Sequence, residues 1–329
     1  VSESVTGKGW GVSITLYAGD RVMNFYQNTL DRKLLQNAID QNMQVIHLVP
    51  DNPDKRLLES AKIYKGPDKD LDLYDPMPPS AEDLIDYAKK IEKSALAVPG
   101  IKTTRGTSIS YTDAHSLVMA TNGLDRMTHK TIYGGGTSVI AQAGKIMETD
   151  HDFSSACHFS DMTAPEEIGR KAAQKAIDTL GAAQPNNQDA SIVLSPEAAR
   201  AFFSSIMQAI SGTAVYRGTT FLKDQLGQQV TSSAITIEDD PSIKRGFASQ
   251  TTDKTGMKSD KVTFIKDGIL QTFNLSLTAA RKLGVNPMGR DDGPTNLRIL
   301  PGDQSPEELM ADIKNGFYIK SFQGGSANV

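Results

Sequence analysis

The chain has 329 residues, a formal net charge of −4, 38% hydrophobic and 22% charged residues. This length predicts more than one domain and a sizeable core, and the acidic balance without a basic patch argues against direct nucleic-acid binding. No apolar run approaches the roughly 20 residues of a membrane helix, and the start does not have the pattern of a signal peptide. The single cysteine, Cys157, excludes an intrachain disulfide. The sequence therefore predicts a soluble, cytoplasmic protein.

Residues 1–65 predict a small α/β unit. Apolar residues alternate at Val12, Ile14 and Leu16, which is typical of a strand. A helix is predicted from about Leu30 to Met43, because its apolar residues share one face. The stretch from 65 to 80 is rich in Asp and Pro and has the composition of a linker.

Residues 66–186 predict a central domain in which helices flank an antiparallel meander. Ser80 and Asp83 have the spacing of a capping box, which begins the first helix. Alternating segments between residues 101 and 159 predict the meander, with breaks at Asn122-Gly123 and at Gly134-Gly135-Gly136. A second helix is predicted between residues 165 and 180, and a polar joint, AAQPNNQDA, follows it.

Residues 187–329 predict a β-rich domain organised around one helix. Ser195-Pro196-Glu197 is a typical helix start, and Gly212 is predicted to end the helix in the left-handed conformation. The predicted core face consists of Phe202, Phe203, Ile206, Met207 and Ile210. Strands are predicted at 230–237, 262–265 and 270–273, and a final helix from about Ser305 to Gly316. The fold class is therefore α+β.

A series of short motifs runs through this domain in a fixed order. They are Ser195-Pro196-Glu197-Ala198-Ala199; Ser211-Gly212-Thr213-Ala214-Val215-Tyr216-Arg217-Gly218; Phe221-Leu222 with Leu226-Gly227 and Val230; Ile235 with Asp239-Asp240-Pro241; Ile265-Lys266-Asp267-Gly268-Ile269-Leu270; Ala279-Ala280 with Leu283-Gly284; and Pro294-Thr295-Asn296-Leu297 with Pro301-Gly302. Their order and spacing resemble the TldD/PmbA family of bacterial and archaeal modulators of DNA gyrase. Within that family the chain is most similar to the PmbA/TldE-type branch.

The resemblance implies one subunit of a TldD/TldE zinc-dependent metallopeptidase that degrades or processes unfolded or modified peptides, such as microcin precursors. TldD-type chains carry an HExxxH zinc motif at the equivalent of the organising helix, where this chain has FFSSIMQ at 202–208. A zinc site needs imidazole, thiolate or carboxylate ligands, which these side chains do not supply. The resemblance thus implies no catalytic residue, metal ligand or cofactor in this chain, zinc in a TldD-type partner, and further chain before residue 1 and after residue 329.

Arg217 and Asn296 are the two candidates for contacts with an extended peptide or with the partner subunit. Both are polar residues within family-like motifs, and both also suit side chains that only hold turns together. A homodimer of the isolated chain stays open, and neither a membrane nor a nucleic acid is expected as a partner. Two alternative functions also stay open: a stand-alone metallopeptidase with ligands outside this segment, and a peptide-binding regulator of gyrase or of a toxin–antitoxin pair.

Three other groups of residues contain side chains that could carry chemistry. His151, Cys157, His158 and Asp161 are close in sequence, but alternation along a strand turns His158 away from His151 and Cys157, which favours ordinary sheet residues over a metal site. The Gly134–Gly136 run does not match a phosphate loop and favours a hairpin loop. Glu238-Asp239-Asp240 could support acid–base chemistry or hold a cation, but Asp240-Pro241 is more typical of a turn.

Overall fold

The computed structural model describes residues 3–311 and 313–322 and has the predicted α+β class. The helices are α1 (Arg32–Val45), α2 (Ala81–Leu96), α3 (Pro165–Asp178), α4 (Pro196–Ala209), α5 (Gly212–Arg217), α6 (Leu277–Leu283) and α7 (Pro306–Ala311). The strands are β1 (Val12–Ala18), β2 (Arg21–Gln27), β3 (Ile101–Met119), β4 (Asp125–Ala143), β5 (Ile146–Ala156), β6 (Ser191–Leu194), β7 (Ile237–Asp239), β8 (Val262–Lys266), β9 (Ile269–Leu270), β10 (Leu297–Ile299) and β11 (Gly316–Ile319). Among the described residues, no helix combines the length and apolarity that crossing a bilayer requires. The boundaries of the three domains stay predictions.

The N-terminal part is the antiparallel hairpin β1–β2 followed by α1, as its sequence pattern predicts. Residues 65–80, whose composition is typical of a linker, contain only irregular structure but are well packed. The carbonyl of Leu73 accepts a hydrogen bond from the amide of Thr131 at 3.0 Å, and the carbonyl of Leu71 accepts one from the amide of Arg245 at 2.8 Å. The segment is irregular, as its composition predicts, and it also contacts both the central sheet and the C-terminal part.

The centre of the molecule is the antiparallel sheet β3–β4–β5, which confirms the predicted meander. Helices α2 and α3 pack against one face of it, and the capping box predicted at Ser80 and Asp83 begins α2. Small side chains let the helices approach the sheet closely. The buried residues of this cluster are Ala95, Val139, Ala141, Ala172 and Ala176.

The predicted break at Gly134–Gly136 is wrong, because these glycines lie inside β4. A Cβ on Gly135 would approach the Ile109 side chain to 2.8 Å, and one on Gly136 would approach the Asp152 carbonyl to 2.6 Å. Glycine here permits close packing of neighbouring chains, as glycines inside strands often do. The turn into β5 lies instead at Gly144-Lys145.

The predicted turn at Asn122-Gly123 is confirmed, and its length sets the register of the long β3–β4 hairpin. Gly123 has φ +94°, and the Ala120 amide donates to the Leu124 carbonyl at 2.9 Å. The loop therefore contains three residues, 121–123, a length at which a left-handed glycine is common. This register places His115 directly opposite His129.

The C-terminal core lies between α4 and a four-stranded antiparallel sheet of order β10-β7-β8-β9. Met207 and Ile210 of the predicted helix face are buried in it, together with Phe264 and Leu270 of the sheet, and Phe203 and Ile206 pack against it. Phe202 was predicted on this face but is 51% exposed. Phe202 lies at the edge of the apolar face of α4, because successive side chains of a helix are about 100° apart and Phe203 already points toward the core.

The prediction that Gly212 ends the helix in the left-handed conformation is wrong. The helix α4 stops at Ala209, and Gly212 begins α5, with the Ser211 hydroxyl accepting a hydrogen bond from the Ala214 amide at 3.2 Å. A Cβ on Gly212 would lie 2.6 Å from the Cβ of Ala279. The glycine is needed because α5 packs closely on α6, a contact that no local pattern reveals.

Two further C-terminal predictions change. The strand predicted at 230–237 is reduced to β7 at Ile237–Asp239, although Val230 and Ile235 still pack against the core. Gly316 was predicted to end the final helix, but it begins β11, which pairs in parallel with β6. The end of α7 adjoins residue 312, which lies outside the described residues. The turn predicted between residues 262–265 and 270–273 is confirmed as the β8–β9 hairpin.

Candidate functional site

Helix α4, the organising helix of the C-terminal part, carries one carboxylate, Glu197, and is otherwise poor in side chains that could bind a metal. From Ala198 to Ala209 the helix has no histidine, cysteine or carboxylate. Glu197, in its first turn, lies 3.8 Å from the Lys175 ammonium. The inner face of the helix is filled by apolar side chains that form the C-terminal core. The helix is therefore a packing element in this chain.

The two candidate contact residues, Arg217 and Asn296, differ in their surroundings. Arg217 is exposed at the end of α5, where its guanidinium lies 5.8 Å from the centre of the Tyr216 ring. Asn296 is partly buried: its amide group donates to the Asp240 carbonyl and to the Ser249 hydroxyl, both at 2.7 Å. Its side-chain oxygen accepts from the Ala248 amide at 3.2 Å. Asn296 therefore holds the loop at 240–249, whereas Arg217 is exposed.

This difference predicts unequal effects of two alanine substitutions on the free energy of unfolding. We expect Asn296→Ala to lower the free energy of unfolding by about 1–3 kcal/mol, because it leaves loop groups without hydrogen-bond partners. We expect Arg217→Ala to change it by less than about 0.5 kcal/mol, as for most exposed sites. Urea unfolding of both variants tests this. Equal losses of stability in the two variants would contradict the assignment.

Each carboxylate of the acidic stretch at 238–240 already has a protein partner. Glu238 lies 2.8 Å from the Lys261 ammonium. Asp239 is fully buried and lies 2.7 Å from the guanidinium of Arg290. Asp240 accepts from the amide and the hydroxyl of Ser242, which confirms the predicted turn at this residue. The stretch is structural, and its buried ion pair joins β7 to the loop that precedes β10.

The group His151, Cys157, His158 and Asp161 is dispersed by the fold. His151 is exposed on β5, whereas the thiol of Cys157 is buried and its pKa is raised by burial. The His158 ring nitrogen contacts the Asp72 carbonyl at 2.9 Å, and Asp161 pairs with Arg245 at 3.0 Å. Within the described part of the chain these four residues do not form one ligand group.

A cavity of about 420 Å³ lies between three segments. Its walls come from residues 68–73, from the distal half of the β3–β4 hairpin, and from the loop at 249–254. Several of the charged groups around it form ion pairs, such as Lys254 with Asp291 at 3.2 Å and Arg245 with Asp72 at 2.6 Å. The cavity is thus lined by charges of both signs, some of which are paired.

Asp253 is the most deeply buried carboxylate of the cavity wall. Burial raises its pKa, and hydrogen bonds from Thr255, from the Asp291 amide and from the Met257 amide oppose that rise. The bonds from the Thr255 amide and hydroxyl are 2.9 and 2.6 Å long. These contacts close a turn at 253–257, and the second carboxylate oxygen accepts from the Asp291 amide at 3.0 Å, so both oxygens of Asp253 bond to the protein.

The sequence prediction missed one cluster beside this cavity. Asp113, His115 and His129 offer ligand atoms that all lie within 4.8 Å of one another. The His129 Nε2 atom lies 2.7 Å from the Asp113 carboxylate, and the His115 Nε2 atom lies 3.6 Å from it. His129 also stacks on Tyr74, with ring centres 3.7 Å apart. The available signal was Asp-x-His on one strand, but finding His129 requires the hairpin register.

Two family descriptions match this chain. The family description "PmbA/TldA metallopeptidase central domain" matches residues 74–180, and "PmbA/TldA metallopeptidase C-terminal domain" matches residues 187–329. Metalloprotease PmbA of Escherichia coli O157:H7 is 28% identical over 319 residues, which cover 95% of this chain and 70% of the relative.

Two solved structures have the same fold. A candidate modulator of DNA gyrase from Bacteroides thetaiotaomicron VPI-5482 aligns with a TM-score of 0.90 at 24% identity, covering 97% of this chain and 73% of that one. TldE from Thermococcus kodakarensis aligns with a TM-score of 0.81 at 20% identity, covering 98% of this chain and 75% of that one. Both family matches and the PmbA relative agree with the motifs, and the chain belongs to the PmbA/TldD metallopeptidase family.

Proposed function

We propose that this chain is the PmbA/TldE-type, non-catalytic subunit of a heterodimeric zinc-dependent peptidase. A TldD-type partner holds the zinc ion and cleaves unfolded or modified peptides. The observation that carries the proposal is helix α4, which has neither imidazole nor carboxylate from Ala198 to Ala209 in a member of a metallopeptidase family. Zinc hydrolysis needs such ligands and a base beside the bound water.

The role of an interface subunit is supported by exposed apolar side chains near the tip of the β3–β4 hairpin. Leu117, Met119 and Met127 are 59%, 67% and 71% exposed. Leu117 faces Met127 across the strands, so these two side chains share one face of the sheet. Grouped apolar residues on a surface are typical of protein contacts. The long strand β3 lies at the edge of its sheet, and such an edge can pair with an extended peptide whatever its side chains.

The proposal is tested with three samples and one substrate. This chain in its full-length protein, a TldD-type partner and their equimolar mixture are each incubated with a dye-labelled unfolded polypeptide. We expect cleavage only in the mixture, and we expect a chelator to abolish it. A matched mixture, in which both histidines of the partner's HExxxH motif are replaced by alanine, is expected to be inactive.

Chelator-sensitive cleavage by this chain alone would contradict the proposal and favour the stand-alone peptidase. Cleavage that is the same for the partner alone and for the mixture would also contradict it, because the subunit would then contribute nothing. The regulatory alternative is addressed by size-exclusion chromatography of the mixture. A complex of this chain with the TldD-type partner supports the proposal, and separate elution of the two chains contradicts it.

A further inference from the structure

One face of the β3–β4 hairpin carries a row of side chains that face each other across the two strands. The row continues past the part of the sheet that α2 and α3 cover. Tyr111 faces Tyr133, Asp113 faces Thr131, and His115 faces His129. Asp113 and His115 are two residues apart, so they lie on the same face of β3. The register thus brings two imidazoles and one carboxylate together on a rigid pair of strands, and the site needs no loop residue.

The donor atoms all lie within 4.8 Å of one another, close enough to share an ion after small shifts. Tetrahedral bonds of about 2.0–2.1 Å place neighbouring ligand atoms about 3.3 Å apart. The His115 Nε2 atom lies 3.6 Å from the Asp113 carboxylate, close to this value. The His129 Nε2 atom lies 2.7 Å from the same carboxylate, which is a hydrogen-bond distance. For an ion to replace the proton of this hydrogen bond, the nitrogen and the carboxylate oxygen must move apart by about 0.6 Å.

Of the three side chains, His129 is held in place, whereas His115 and Asp113 are free to adjust. The His129 side chain is 29% exposed and its ring lies against Tyr74, which fixes its plane. The rings of His115 and His129 stack 3.8 Å apart at 20°, so a shared ion requires the His115 ring to turn out of the stack. The His115 side chain is 63% exposed and the Asp113 side chain 39% exposed, and both face solvent.

We propose that Asp113, His115 and His129 form a binding site for a divalent transition-metal ion of the zinc class. Two imidazole nitrogens and one carboxylate suit late first-row metals, whereas Mg²⁺ and Ca²⁺ prefer oxygen ligands. Water completes the coordination, because the exposed side of the cluster is open. The site lies in the central sheet and is formed by different residues from the α4 position, so it does not depend on the proposed function.

Metal binding by the full-length protein, stripped with a chelator, tests the site directly. We expect isothermal titration calorimetry to show that this cluster binds one Zn²⁺ ion per chain. We expect Co²⁺ bound at the same site to give a visible absorption band that is typical of nitrogen and oxygen ligands. We expect His115→Ala and His129→Ala each to weaken Zn²⁺ binding by more than about tenfold, and an excess of Mg²⁺ not to displace Zn²⁺.

His151→Ala is the matched control. His151 also lies on the central sheet, is exposed and sits 3.7 Å from a carboxylate, that of Asp150. We expect it to bind Zn²⁺ like the unchanged protein. Thermal unfolding of each variant verifies that it is folded, and His115→Ala is the key variant because its side chain is exposed. Unchanged affinity in both His115→Ala and His129→Ala, an equal loss in His151→Ala, or displacement by Mg²⁺ would overturn the proposal. None of these readouts is peptidase activity, so the two proposals can fail separately.

Discussion

Replacing Arg290 by alanine is expected to lower the free energy of unfolding by about 3–5 kcal/mol, because it leaves a buried carboxylate without its counter-ion. Arg290 is 1% exposed and Asp239 is fully buried. The Arg290 guanidinium lies 2.7 Å from the Asp239 carboxylate and also donates to the carbonyls of Gly289 and Asp260. The carboxylate accepts two further bonds from Thr295 and cannot move to water. Urea unfolding monitored by circular dichroism measures the loss.

Arg298→Ala is the matched control for this variant. Arg298 lies in β10 and is exposed, so we expect a change of less than about 0.5 kcal/mol. The double variant Asp239→Asn/Arg290→Ala should lose less than the sum of the losses of Asp239→Asn and Arg290→Ala measured singly, since it removes both charges together. A loss below about 1 kcal/mol in Arg290→Ala, or additive losses in the double variant, would contradict a stabilising ion pair.

Asp75→Asn is expected to lower the free energy of unfolding near neutral pH by about 1.5–3 kcal/mol, as for a hydrogen-bonded charged group. Asp75 is 7% exposed, and its carboxylate accepts from the amides of Phe159 and Met77 at 3.0 and 3.1 Å. The Tyr133 hydroxyl donates to the same carboxylate at 3.1 Å. An asparagine presents an amide group to at least one of these donors, and that contact is then repulsive.

The same contacts predict how this loss depends on pH. Burial alone would raise the pKa of Asp75, but the hydrogen bonds from Phe159, Met77 and Tyr133 outweigh burial and lower it. A carboxyl whose pKa is lower in the folded state stabilises the fold above its unfolded pKa, and this stabilisation is lost as pH falls through the folded pKa. Asparagine does not titrate. We therefore expect the difference between the unchanged protein and Asp75→Asn to shrink as the solution is acidified below about pH 4.

Two controls accompany the measurement. Asp70→Asn removes an equal charge from the same segment, but the Asp70 side chain is 80% exposed, so its effect should stay below about 0.5 kcal/mol. Tyr133→Phe removes one donor and should cost about 0.5–1.5 kcal/mol. A difference between Asp75→Asn and the unchanged protein that is constant from neutral to acidic pH would show that the charge of Asp75 does not stabilise the fold.

Local signals predicted much of this fold because they act between near neighbours. The side chains of Ser80 and Ser195 each bond to an amide three residues ahead, and both begin the helices predicted from them. The glycines show the limit of such signals. Gly123 forms a turn as predicted, whereas Gly135 and Gly212 are required by contacts with Ile109 and Ala279, which are distant in the chain.

The candidate site depends even more on register. An Asn-Gly pair is typical of two-residue hairpin loops. Such a loop at 122–123 would pair His129 with Ser116 and turn His115 to the opposite face of the sheet. The three-residue loop of the structure places His129 opposite His115 instead. A shift of one residue thus decides whether the two imidazoles meet, and local sequence does not determine this shift.

By itself, the sequence determined the α+β class, the family and the starts of the main helices, because caps, periodicity and the order of motifs are properties of neighbouring residues. It also determined that α4 has no zinc ligands between Ala198 and Ala209, since composition alone decides this. Only the tertiary structure decided that Asp239 is neutralised by Arg290 and that Asp113 meets His115 and His129. These groups come together through strand pairing and core packing between distant segments, and the free energy of those contacts is not encoded in any local pattern.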